Sequence, residues 1–151
     1  MKKKQIYDDD VSRVLRKDGV KRIELDEFEN LPTISLEEIK KRMGNDSWAT
    51  RVIYNDRFGG VLIKQHPGEG NRLHYHPNAD ECWVILDGEW EWYIEGEGKK
   101  RVTMHDIVVV RKGTKHKITC VGDKAGVRFA ITMPDVDHVY AEEGPRCSSK
   151  I

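Results

Sequence analysis

Between Trp48 and Met133 the apolar residues fall in short runs, and most runs alternate apolar with polar positions. Alternation at a period of two marks a strand with one buried face. The runs Ala49 to Tyr54, Gly60 to Gln65, Leu73 to His76, Glu81 to Leu86, Glu89 to Glu95, Ile107 to Val110, Lys115 to Cys120 and Val127 to Met133 are separated by Gly, Asp or Asn. These residues favour turns, so the pattern predicts seven or eight short strands in an all-β sandwich or barrel. Asp87-Gly88, between two apolar-rich strands, predicts a hairpin, and Gly96-Glu97-Gly98 predicts a further turn.

Outside this stretch the pattern changes. Val20 to Leu25 alternates over a short strand length. Ser35 and Glu38 form a capping-box pair, and Leu36, Ile39 and Met43 recur at helical spacing, which predicts one short helix over 35–43 ending near Gly44. The tail after Pro134 reads as a loop or surface arm. The expected organisation is an N-terminal extension over 1–47, a β domain over 48–133 and a C-terminal tail over 134–151.

Composition narrows the partners. Of 151 residues, 26 are basic and 26 acidic, so no overall charge draws the chain to nucleic acid or to an anionic membrane. The basic start, Lys2 to Lys4, is followed at once by Asp8, Asp9 and Asp10, which suits a solvated end. Cys82, Cys120 and Cys147 form no CxxC pair, and an odd, sparse set of three favours free thiols in a reducing compartment. No apolar run approaches the roughly 20 residues of a membrane span, and no apolar segment follows the first lysines as a secretory signal would require. The expected location is the cytoplasm.

The chemistry concentrates between Gly68 and Gly88. His74 and His76 are two residues apart, so on an extended strand both imidazoles share a face while Tyr75 points away. Pro77 and Asn78 break that strand, and Glu81 opens the next. A hairpin here would set a carboxylate beside two imidazoles. Gly68, His74, His76, Glu81 and Gly88 stand at the spacing of the first motif of the cupin superfamily, which the chain resembles: Gly, five residues, His-x-His, three or four residues, Glu, six residues, Gly. The second motif is similar to His105 through His116, where Gly113 and His116 fit. His105, Arg111 and Cys120 stand where that motif usually carries glycine, proline and asparagine.

The resemblance covers roughly 48–133 and implies a small jelly-roll β-barrel. It also implies that His74, His76, Glu81 and His116 hold one divalent metal. Three imidazoles and one carboxylate suit Fe, Mn, Ni, Zn, Co or Cu better than Ca or Mg. Affinity for the ion is expected to fall below about pH 6, as imidazoles protonate near ~6.5. Arg72, Trp83 and Arg128 are the candidate substrate-binding residues, with Arg72 preferred for its closeness in sequence to the ligands. Trp90 and Trp92 are expected in the core, at a sheet contact or in a homodimer interface, and His138 has only a weak case for a role.

Fold alone does not choose a reaction. The expected function is a metal-dependent enzyme acting on a small polar metabolite, with an Fe(II) dioxygenase-type reaction favoured. The alternatives are a sugar or keto-acid isomerase or epimerase using Mn, Zn or Ni, and a non-catalytic module that binds a metal or ligand. Glu91 or Tyr93 would serve an isomerase as base only if they faced inward.

Overall fold

The computed structural model describes residues 15–141. The sequence features at Lys2 to Asp10 and at Cys147 lie outside these residues. Strands fall where the alternation places them: β1 (Arg22–Glu24), β2 (Trp48–Tyr54), β3 (Gly59–Gln65), β4 (Gly70–Tyr75), β5 (Glu81–Asp87), β6 (Glu89–Ile94), β8 (Ile107–Val110), β9 (His116–Val121) and β10 (Gly126–Thr132). Two further strands were not expected: β7 (Gly98–Thr103) and β11 (Val139–Tyr140). Helix α1 spans Leu36–Met43, with the Ser35 hydroxyl accepting from the Glu38 N–H and Gly44 closing the C-terminus at φ 88°. Such an N-cap is worth about 1 kcal/mol.

The strands form two sheets, in the orders β1-β2-β3-β10-β5-β8 and β11-β4-β9-β6-β7. The pairings nest around one tight hairpin: β6 with β7, β5 with β8, β4 with β9, β3 with β10. One long antiparallel ribbon, with its tip at Gly96 to Gly98, is therefore wound into a jelly roll. Winding sends the chain from one sheet to the other at nearly every turn. Asp87-Gly88 is one of these corners and not a hairpin, because β5 and β6 lie in different sheets. The left-handed glycine that a tight hairpin needs is equally what the corner needs. Gly88 has φ 78°, and a Cβ there would lie 2.6 Å from the Cα of Gly126.

The inner faces of the two sheets bury Trp83, Ile85, Trp90, Trp92, Ile118 and Cys120. Trp83 and Trp92 meet edge to face with centroids 5.2 Å apart, and Trp90 donates its indole N–H to the Asp87 carbonyl. Both tryptophans of β6 thus belong to the interior. A second cluster lies on the outer face of the first sheet, where Ile39 and Met43 of α1 pack with Phe28 on Trp48, Val52, Leu62 and Val127. The N-terminal segment reaches further: β1 adds a parallel edge to β2, and Leu15 and Val20 join the inner core. β7 is an edge strand carrying Lys99, Lys100 and Arg101, and edge charges of this kind discourage pairing with another chain. Among the described residues no helix is long and apolar enough to cross a membrane.

Candidate metal centre

His74 lies near the end of β4 and His76 just beyond it, both in the second sheet. Glu81 opens β5 in the opposite sheet, and His116 opens β9. The carboxylate therefore meets the imidazoles across the interior of the roll and not along a hairpin. The loops carrying the two motifs are tied together, with Gly113 N–H donating to the His76 carbonyl and Lys112 N–H to the Asp80 carboxylate, each at 2.8 Å. His105, at a position where glycine is usual, adopts φ 79° and donates its N–H to the Ile85 carbonyl, so the turn keeps glycine-like geometry without a glycine.

The rings converge. Centroids of His74 and His116 lie 4.3 Å apart, those of His74 and His76 5.0 Å, and those of His76 and His116 5.3 Å. All three residues are buried. Each ring has Nδ1 against a backbone carbonyl: His74 on Arg72 at 2.6 Å, His76 on Asp137 at 2.8 Å, His116 on Thr114 at 3.0 Å. A carbonyl only accepts, so each Nδ1 carries a proton, and a ring that is neutral keeps Nε2 as a lone pair. This is the outer support that fixes a ligating histidine in one tautomer.

Nε2 of buried His116 has no hydrogen-bond partner among the described residues. Nε2 of His76 lies 2.7 Å from Glu81 Oε1. Two acceptors at that distance repel unless a cation joins them, either a second proton on His76 or a metal ion. Burial, and then the rings of His116, His76 and His138, hold His74 well below the ordinary histidine pKa. Burial also lowers His116 to about 4, against the opposing charge of Glu81. Burial alone would raise Glu81, but the positive character of His76, its hydrogen bond and the rings of His116 and His138 outweigh that and hold the carboxyl low. Neutral His74 and His116 beside an ionised carboxylate have the protonation states that metal binding requires, and an ion would take the place of the proton shared between His76 and Glu81.

Two overlapping groups could hold a divalent ion: His76, Glu81 and His116, and His74, His76 and His138, with the ligand atoms of each group within 4.8 Å of one another. His138 is the residue that sequence reasoning underrated. β11 pairs with β4, Tyr140 opposite His74 and Val139 opposite Tyr75, which sets His138 beside His76 with centroids 4.6 Å apart. The signal was present in the Val-Tyr pair that follows His138, but two strand residues in a polar tail are too few for periodicity to register.

A cavity of about 70 Å³ adjoins the cluster, walled by Val61, Ile63, Trp83 and Ala130 with His74, Glu81, Arg128 and His138. Trp83 is buried and stands 5.4 Å from the His116 ring. Arg128 is buried on the same wall. Arg72 is not part of it. A bulge in β4 between Asn71 and His74 breaks the alternation, so Asn71 lines the cavity. The Arg72 guanidinium lies 3.3 Å from Asp18 and stacks 3.7 Å over Tyr140. Arg51 also reaches the cavity wall, its charge met by Glu29 at 2.9 Å. Glu91 and Tyr93 point out of the roll, where Glu91 meets Lys99 and Tyr93 is exposed.

The wound double sheet and its interior cluster of histidines and one glutamate define a β-roll protein with a ligand-type centre. A cupin-domain family model matches residues 61–133, and the fold of the described residues is that of the cupin superfamily. Solved structures agree at the level of fold. One is a conserved protein with a double-stranded β-helix domain from Klebsiella pneumoniae (20% identity, 74% of this chain and 92% of that one, TM-score 0.63). Others are the DMSP lyase DddQ from Ruegeria pomeroyi (21%, 66% and 54%, TM-score 0.57) and KdgF from Halomonas sp. (22%, 57% and 76%, TM-score 0.53). No curated protein matches the sequence significantly.

Proposed function

We propose that the chain is a metal-dependent enzyme acting on a small polar metabolite, with His74, His76, Glu81 and His116 as ligands of one divalent transition ion. The observation that carries this reading is the set of three buried imidazoles, each with Nδ1 against a carbonyl, two of which, His76 and His116, place their ligand atoms within 4.8 Å of that of Glu81, while His74 groups with His76. The bound ion would supply a Lewis acid that polarises and orients substrate oxygens. The chain supplies the rest. The Arg72, Asp137 and Thr114 carbonyls hold the ring tautomers. Trp83 packs beside His116 and keeps that wall dry. The DMSP lyase among the structural neighbours is an enzyme on the same fold, which supports catalysis over storage or sensing.

An Fe(II) dioxygenase-type reaction is the option favoured from the resemblance to cupins, and four protein ligands on a six-coordinate ion would leave positions for substrate and oxygen, as they would for an isomerase substrate. The isomerase alternative, using Mn, Zn or Ni, needs a protein group that moves a proton. Glu91 and Tyr93 cannot serve, whereas His138 stands at the cavity wall beside His74 and His76. Metal analysis of the wild type and of His116→Ala tests the common part: affinity should fall at least tenfold in the variant, and normal occupancy there would sink the assignment. Oxygen uptake with small acids, thiols and catechols would mark the dioxygenase. Turnover without oxygen and with retained mass would mark the isomerase.

A further inference from the structure

Arg128 is a buried cation without a buried anion. It is 1% exposed, and its hydrogen bonds go to two neutral amides: NH2 donates to Gln65 Oε1 at 3.0 Å and, more closely, to Asn71 Oδ1. Its Nε is buried with no hydrogen-bond partner, and its remaining contact is the face of Trp90, 5.2 Å away. No carboxylate of the described residues pairs with it. Burial lowers its pKa to about 10, with Glu81 and Asp18 pulling the other way at longer range, so it stays charged at neutral pH. An isolated buried charge is among the costliest arrangements in a protein, and one is retained where a partner arrives from outside.

The other charged groups of the cavity are committed. Arg51 has Glu29, and Glu81 has His76. Arg128 is therefore the one uncompensated cation on the wall among the described residues. The space is about 70 Å³, far below the ~300 Å³ at which pockets for larger ligands begin, and Val61, Ile63 and Ala130 line it with apolar surface.

We propose that Arg128, held by Gln65 and Asn71, is an anion-binding post, and that the substrate is a compact organic acid with a single carboxylate. The inference rests on the cavity being the substrate site of the proposed enzyme. The carboxylate lies against Arg128, and the rest of the molecule lies along the apolar wall toward the histidines. Gln65 and Asn71 orient the guanidinium without neutralising it, which leaves its charge for the ligand.

The test is binding of pyruvate against its neutral amide to the protein as purified, with metal content measured on the same samples. The wild type should prefer pyruvate at least tenfold. Arg128→Gln should bring the ratio close to one while metal content stays unchanged. Should that variant not fold, Asn71→Asp gives an independent answer, because it sets a carboxylate against Arg128 from within. It should abolish the preference without lowering Tm. A tenfold preference surviving in Asn71→Asp, or absent from the wild type, would overturn the proposal. A preference that holds in protein unable to retain metal would leave the anion post standing and overturn the metal reading instead.

Discussion

Along β5 and β9 the buried face changes chemistry within two residues. Glu81 gives way to Trp83 and Ile85, and His116 to Ile118 and Cys120. At one end of the roll three indoles fill the space between the sheets, with neighbouring centroids 5.2 and 6.3 Å apart and the Trp90 N–H satisfied by a carbonyl. At the other end stand three buried imidazoles and the carboxylate of Glu81, on a cavity that runs back to Arg128 beside Trp90, and Nε2 of His116 has no partner among the described residues. Burial alone does not separate a core from a site. What separates them is whether the volume is filled, since unsatisfied polar atoms occur at both ends: the indole N–H groups of Trp83 and Trp92 also lack a partner among the described residues. The packed end holds the sheets together so that the other end can keep groups that by themselves destabilise the fold.

The largest effect should come from emptying the packed end. Trp92→Ala removes a fully buried indole that touches both Trp83 and Trp90. Large-to-small changes of this kind cost about 3–5 kcal/mol. Urea unfolding should show a loss of that order, enough to leave a domain of ordinary stability marginal. A loss below about 1 kcal/mol would mean that the indole end is not what secures the roll.

Acid should act on the other end. In metal-free protein folded His116 has a pKa of about 4, whereas an unfolded imidazole titrates near ~6.5. Between those values the unfolded chain binds a proton that the folded chain refuses. Stability is thus fully present above about pH 7, falls as pH drops through ~6.5, and levels off below about 4. At ~1.4 kcal/mol per pH unit, the loss from His116 approaches about 3 kcal/mol. His74, lowered by the same burial, acts in the same direction. His116→Leu should remove its share of the slope when metal-free unfolding is followed from pH 7.5 to 4. An unchanged slope would place the destabilising protons elsewhere.

Much of this was legible from sequence, and the exceptions have local causes. The His-x-His spacing and strand alternation located the cluster because both depend on near neighbours in the chain. Arg72 lies off the cavity that Asn71 lines because of a bulge, which shifts parity without marking the sequence. Asp87-Gly88 was read as a hairpin because the positive φ of Gly88 serves a sheet-to-sheet corner equally well. β7 was hidden by its lysines, which an edge strand tolerates and alternation does not reveal. His138 depended on β11 adding to β4 across more than sixty residues of chain, a contact that no local pattern encodes.

The smallest effect concerns a turn that borders the packed end. His105 sits at φ 79° between β7 and β8, its N–H on the Ile85 carbonyl, while Asp106 N–H closes the same turn on Thr103. A side chain in that region costs about 1–2 kcal/mol, and glycine there avoids the cost but loses about 0.5–1 kcal/mol in the entropy of the unfolded chain. His105→Gly should therefore stabilise the protein by no more than about 1 kcal/mol, a rise in Tm of roughly 2–4 °C at most for a chain of this size. Its metal content should match the wild type, since His105 belongs to neither ligand group. A fall in Tm would show that the His105 ring holds the turn by contacts worth more than the strain. The packed end would then depend on its border as well as on its indoles.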